Sequence, residues 1–152
     1  MTLDLKIPPL AVGLIIAAAM WGLAWATPEL SVAFPARGLV AGSVAAVGAF
    51  IILLGIASFW RAKTTVNPMQ PQTTSSLVTT GIYTLTRNPM YLGFLLLLLA
   101  WAIFLSNAAA LFALPLFVIY MNKFQIEPEE RALDSLFNEQ YRAYTSRVRR
   151  WI

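Results

Sequence analysis

The chain has 152 residues, 59% of them hydrophobic and 12% charged, with a net charge of +4 and neither cysteine nor histidine. Soluble domains run nearer half apolar and a quarter charged, so this excess of apolar surface asks for a bilayer, and the length suits one unit. The missing Cys and His exclude disulfides, Cys/His zinc sites, thiolate nucleophiles and histidine bases. Carboxylates, Arg, Lys, Tyr, hydroxyls and the backbone remain for any chemistry, with no metal expected.

A helix needs about 20 apolar residues to cross the hydrocarbon core. The uncharged stretch from Ile7 to Pro28 predicts a first helix over 8–26, with prolines tolerated at its start and just past its end. The uncharged run between Arg37 and Arg61 predicts a second helix over 38–60. Its small residues Gly38, Gly42, Ala45, Ala46 and Ala49 suit close helix packing, and could also serve a homo-oligomer. The run between Arg87 and Lys123 would make a single helix about 50 Å long. Two short helices over 90–105 and 108–122, turning at Ser106-Asn107, fit a bilayer instead.

Lys6, Arg61, Lys63, Arg87, Lys123 and the C-terminal arginines all fall on one side of such a four-helix path, and Arg37 on the other. The positive-inside rule then places both termini in the cytoplasm, and makes membrane lipids partners of the basic ends. No basic, aromatic soluble face offers itself to nucleic acid. The polar stretch 61–80 reads as a cytoplasmic loop. Glu127-Pro128-Glu129-Glu130 opens a new helix, and Leu133, Leu136, Phe137, Tyr141, Tyr144 and Val148 recur at helical spacing over 128–148, with Asn138 as a break. The expected fold is therefore all-α and integral to the membrane: four transmembrane helices plus C-terminal cytoplasmic amphipathic helices, in one domain over 1–152.

No ionisable residue falls mid-span, which argues against ion-coupled transport. The polar groups gather instead in two clusters at helix ends. One is Gly81-Ile82-Tyr83 with Arg87-Asn88-Pro89-Met90-Tyr91-Leu92-Gly93; the other is Glu127, Glu129 and Glu130. A hairpin of helices three and four brings both to one membrane face. Together they offer a guanidinium, carboxylates, a phenol and a glycine turn. Such a set can hold a zwitterionic, cationic cofactor such as S-adenosylmethionine: carboxylates for its ammonium or ribose, arginine for its carboxylate, an aromatic ring for its sulfonium. Taken singly, each residue has a plainer role, Arg87 as a topology anchor, Tyr91 as an interfacial aromatic, and the glutamates as helix N-terminal acids.

The stretch GIYTLTRNPMYLG resembles the Gly-x-Tyr…Arg-His-Pro-x-Tyr-x-Gly motif of the isoprenylcysteine carboxyl methyltransferase and phospholipid methyltransferase group. EPEERALDSLFNEQYRAYTSRVRRWI is similar to that group's C-terminal Glu-Glu-x-x-Leu…Phe-Gly…Tyr…Tyr…Arg segment. The likeness covers Pro68 to Ile152. It implies a membrane methyltransferase without a Rossmann domain, using S-adenosylmethionine and taking a lipophilic small-molecule or lipid acceptor from the bilayer, here the bacterial inner membrane. The matching positions are Arg87, Pro89, Tyr91, Gly93, Glu129, Glu130 and Leu133. By this likeness Arg87, Tyr91 and Glu130 are the catalytic candidates, and Asn88, Pro89, Tyr91, Gly93, Glu129 and Glu130 the cofactor-binding ones. Asn88 stands where the group has His, so its role is orientation rather than proton transfer. Asn138 stands where Gly is usual, and both tolerate a left-handed backbone. With no histidine, an acceptor needing little base help is favoured. Competing readings are an NADPH-dependent membrane reductase of the sterol-reductase type, whose members are longer, and a non-enzymatic small membrane module.

Overall fold

The first helix, α1, spans Pro9–Ala26, with proline in its first turn, where a missing N–H leaves nothing unsatisfied. In this computed structural model residues 4–32, 34–63 and 74–152 are described, so part of the polar stretch 61–80 lies outside the described residues. Helix α2 spans Arg37–Arg61, and α3 spans Pro89–Leu105 after a 3₁₀ turn at Gly81–Thr84. Helix α3 ends on Ser106 in the left-handed region (φ 50°), and Asn107 starts the next helical stretch.

That stretch begins where expected, but it is continuous with the C-terminal helix, which was expected to be separate. Helices α4 (Ala108–Leu111), α5 (Ala113–Met121) and α6 (Glu127–Thr145) follow one another in a single rod, with a π-helical turn at Asn122–Ile126 between α5 and α6. Two prolines explain its irregularities. Pro115 has no N–H for the carbonyl of Leu111, and the α-helix is interrupted at Phe112. Pro128 likewise leaves the carbonyl of Phe124 without its helical donor, and the wide turn sits there. The Leu5 N–H donates to Phe124 O at 3.0 Å, answering the freed carbonyl from outside the helix. Asp4 pairs with Arg131 at 3.3 Å, about two turns further on. Pro128 therefore stands in the first turn of α6, as expected, but α6 runs on directly from the π turn with no loop before it. The break expected at Asn138 is present, with non-helical φ 43° and ψ −115°.

The described residues form no strand beyond an isolated bridge between Ser31 and Asn107. Three helices are long and apolar enough to cross a membrane: α1, α2 and the rod Ala108–Thr145. Helix α3 is also apolar but has 17 residues, roughly 25 Å of helix.

Helix contacts depart from the expected tight pairing of 90–105 with 108–122. The intimate partner of α3 is α2, while α1 touches α3, α4 and α5. Lipid supplies no hydrophobic drive between helices, so close packing of small residues and polar contacts must do it. A Cβ on Gly48 would lie 2.9 Å from the Gly93 carbonyl, and one on Gly93 would lie 2.4 Å from Ile52 Cγ1 and 2.7 Å from the Gly48 carbonyl. Gly55 faces Met90 and Pro89 in the same way. Gly38 and Gly42, by contrast, have nothing within 4 Å. On the other side of α3, Val12 and Met20 pack with Leu98, Ala102, Ala110 and Phe117, and the Trp101 indole donates to Ala17 O at 3.0 Å.

At the end away from the ionic cluster, Asn107 is 3% exposed and fully engaged. Its Oδ1 accepts from Ala109 N at 2.9 Å, capping α4, and its Nδ2 donates to Thr27 O at 2.7 Å. Replacing Asn107 by alanine removes the cap and leaves a carbonyl unanswered. It is expected to lower stability by about 1–2 kcal/mol, read as a reduced unfolding temperature in detergent, with Asn107→Asp retaining the cap alone.

Candidate functional site

The start of α3, the π turn with the start of α6, and the segment Arg149–Trp151 converge at one end of the bundle. Two glutamates adjacent in sequence have different surroundings there. Glu130 lies between two guanidiniums: Arg87 Nη1 at 3.0 Å, and Arg150, whose Nε and Nη2 reach its two oxygens at 3.1 and 2.6 Å. Such a fork fixes the carboxylate plane as well as its position. Among the described residues Glu129 has no cationic partner. It accepts from the Tyr91 hydroxyl at 2.5 Å and from Gln125 Nε2 at 2.6 Å. Gln125 lies one helical turn before Glu129, across the π segment.

Glu129 lies past the apolar part of the rod. Burial raises its carboxyl from 4.5 to about 7; the hydrogen bonds from Tyr91 and Gln125 oppose that rise, and the charge of Glu130 adds to it. Burial also raises Tyr141 to about 12, with the charge of Glu130 adding and Arg87 opposing. Tyr83 and Tyr144 are pushed up by burial as well, and the Tyr144 hydroxyl donates to the Tyr83 carbonyl at 2.7 Å. These phenols are neutral at any physiological pH. Arg150 is raised by its hydrogen bond to Glu130. One buried polar atom, Arg87 Nε, has no hydrogen-bond partner among the described residues.

Arg87, Tyr91, Glu129 and Glu130 thus meet as the motif order anticipated, although the close helix pair beneath them is α2–α3. The remaining positions are placed differently. Gly93 faces Gly48 and Ile52 in the α2–α3 contact and serves helix approach. Pro89 is buried at the first position of α3 beside Gly55. Asn88 precedes α3 without capping it; its Nδ2 donates to the Arg150 carbonyl at 2.9 Å. Tyr83 belongs to the first polar cluster of the sequence, and Tyr141 and Tyr144 to the helical face after Glu130, whereas Gln125 and Arg150 had no site role there. Gln125 alone carried a usable signal, being four residues before Glu129.

Apolar helices around a polar, partly buried ionic site at one end define an integral membrane protein with a site at the boundary of its bundle. Residues 36–140, more than half of the chain, match the family model for phospholipid methyltransferase, and the chain belongs to that family. It is also similar to an uncharacterized protein of Haemophilus influenzae, with 46% identity over 63 residues, which is 41% of this chain and the whole of that protein. No solved structure matches. The family match takes in α2, which lies outside the stretch Pro68 to Ile152 that carried the resemblance, and both residues of the Arg87–Glu130 pair, but stops short of Arg150.

Proposed function

We propose that this protein transfers a methyl group from S-adenosylmethionine to a lipophilic acceptor at the cytoplasmic face of a bacterial inner membrane. On this reading α1, α2, α3 and the α4–α5 part of the rod make four crossings, and both termini are cytoplasmic. The observation that carries the reading is the unequal pair of glutamates: Glu130 is neutralised by Arg87 and Arg150, whereas Glu129 is a partly buried carboxylate with neutral donors only. A buried carboxylate asks for a cation, and an orphaned guanidinium N–H asks for an acceptor. Glu129 and Arg87 Nε present both within one cluster, which fits a zwitterionic amino-acid end.

Glu129 would hold the ammonium of the cofactor, and Arg87 its carboxylate, with Tyr91 orienting Glu129 through their hydrogen bond. When bound, S-adenosylmethionine supplies an electrophilic methyl on its sulfonium. The protein's task is then chiefly alignment of donor and acceptor and exclusion of water, and the buried tyrosines beside the cluster serve both. An acceptor that is already anionic, such as a carboxylate, needs no base.

The test is calorimetric titration of the purified protein with S-adenosylhomocysteine, with NADPH as the comparison ligand. Binding of the first and not the second is expected; the reverse, or neither with the fold intact, overturns the proposal. Mass spectrometry of lipid extracts incubated with protein and isotope-labelled methyl donor then identifies the acceptor.

A further inference from the structure

The segment Arg149–Trp151 makes an unusual set of contacts for so short a stretch. Two of its main-chain carbonyls face the start of α3: Arg149 O accepts from Arg87 N at 3.0 Å, and Arg150 O from Asn88 Nδ2 at 2.9 Å and Thr86 Oγ1 at 3.3 Å. Its side chains face the rod: Arg150 forks onto Glu130, and the Trp151 indole donates to Asn122 Oδ1 at 3.0 Å in the π turn. Asn88 would ordinarily cap α3 by accepting from its first turn; its amide is given to this segment instead.

We infer that Arg149–Trp151 is a strap across the site and that Arg150 is a positioning residue, holding Glu130 against Arg87 so that Glu129 is the carboxylate left to meet a cation. The inference rests on the methyltransferase reading for the identity of that cation. The physical basis is the geometry of the fork. A carboxylate paired with Arg87 alone could swing about that single contact. With both oxygens engaged by a planar guanidinium it has one orientation, and Arg87 is fixed in turn. Glu130 is then a pivot, and Asn88 and Thr86 are anchors of the strap rather than ligands.

The test uses the full chain in detergent or nanodiscs, with S-adenosylhomocysteine as the probe. Arg150→Ala is expected to weaken binding about tenfold, as loss of a charged hydrogen-bonded partner does. Arg150→Lys, which keeps the charge and guards against misfolding, is expected to recover part of that loss, because an ammonium cannot fork. In a Glu130→Gln background, Arg150→Ala should add less than about twofold, since the two residues act as one unit. Losses that simply add, or an affinity unchanged by Arg150→Ala, overturn the inference. A second readout needs no ligand: fluorine NMR of 5-fluorotryptophan-labelled protein, with Trp151 assigned by Trp151→Phe and Trp25 as the distant reference. Arg150→Ala should move the Trp151 signal and leave that of Trp25. If the wild type fails to bind S-adenosylhomocysteine, the methyltransferase reading falls. The strap is then decided by the fluorine signal, an unmoved Trp151 overturning it.

Discussion

Glu129→Gln is expected to weaken S-adenosylhomocysteine binding about a hundredfold and to abolish its pH dependence, because the substitution removes one member of a desolvated charge pair. Titration calorimetry across pH checks both. The carboxyl of the free protein is raised to about 7 by burial, and an ammonium favours its ionised form. Wild-type affinity should therefore climb by up to about tenfold per pH unit towards 7 and level off above it, whereas the Gln variant should be flat. The same shift acts on stability with the opposite sense. A group whose carboxyl rises from 4.5 to about 7 on folding contributes stability that is fully present below 4.5 and is lost as pH rises through 7. Glu129→Gln should thus raise the unfolding temperature at pH 8 and leave it unchanged at pH 4. A variant that binds ligand poorly yet melts higher would separate a ligand-holding carboxylate from a structural one.

Gly93→Val is expected to prevent the bundle from forming, and Gly93→Ala to cost about 1–3 kcal/mol. The added Cβ meets Ile52 Cγ1 at 2.4 Å and the Gly48 carbonyl at 2.7 Å. Ile52 Cγ1 hangs on a β-branched carbon with one favoured rotamer in a helix, and the Gly48 carbonyl is helix backbone, so neither gives way cheaply. Gly42→Ala, at a position with nothing within 4 Å, is expected to stay within about 0.5 kcal/mol of wild type. Detergent-unfolding curves followed by circular dichroism distinguish the three. A Gly93→Ala variant as stable as Gly42→Ala would remove the α2–α3 contact as an organising feature.

The contrast between these glycines shows where the sequence was legible. Long uncharged runs mark helices well, because length and the absence of charge are one-dimensional properties. Which face of such a helix meets its neighbour is another matter. In α2 and α3 nearly every face is apolar, so no hydrophobic periodicity separates the lipid side from the protein side. The sequence pointed to Gly38 and Gly42 as packing positions, yet within the chain it is Gly48 and Gly55 that meet α3. The Arg87–Glu130 meeting was legible because both residues flank apolar runs that have to return to one end. Arg150 was not, since a short basic segment has no periodicity and its partner is set by how the chain folds back. Pro128 illustrates a third difficulty. Its residue type fits the start of a helix equally well as the middle of one whose freed carbonyl is answered from elsewhere, and the donor, Leu5, is remote in sequence.

That remote answer has a bearing on how the protein is made. A ribosome delivers Leu5 well before Phe124, so their hydrogen bond closes only after the intervening helices have been made. Until then the Phe124 carbonyl in the π turn has no donor from outside the helix. Elongation through the rod is therefore a precondition for closing the turn beside Gln125 and Glu129, whatever the order in which the earlier helices pack.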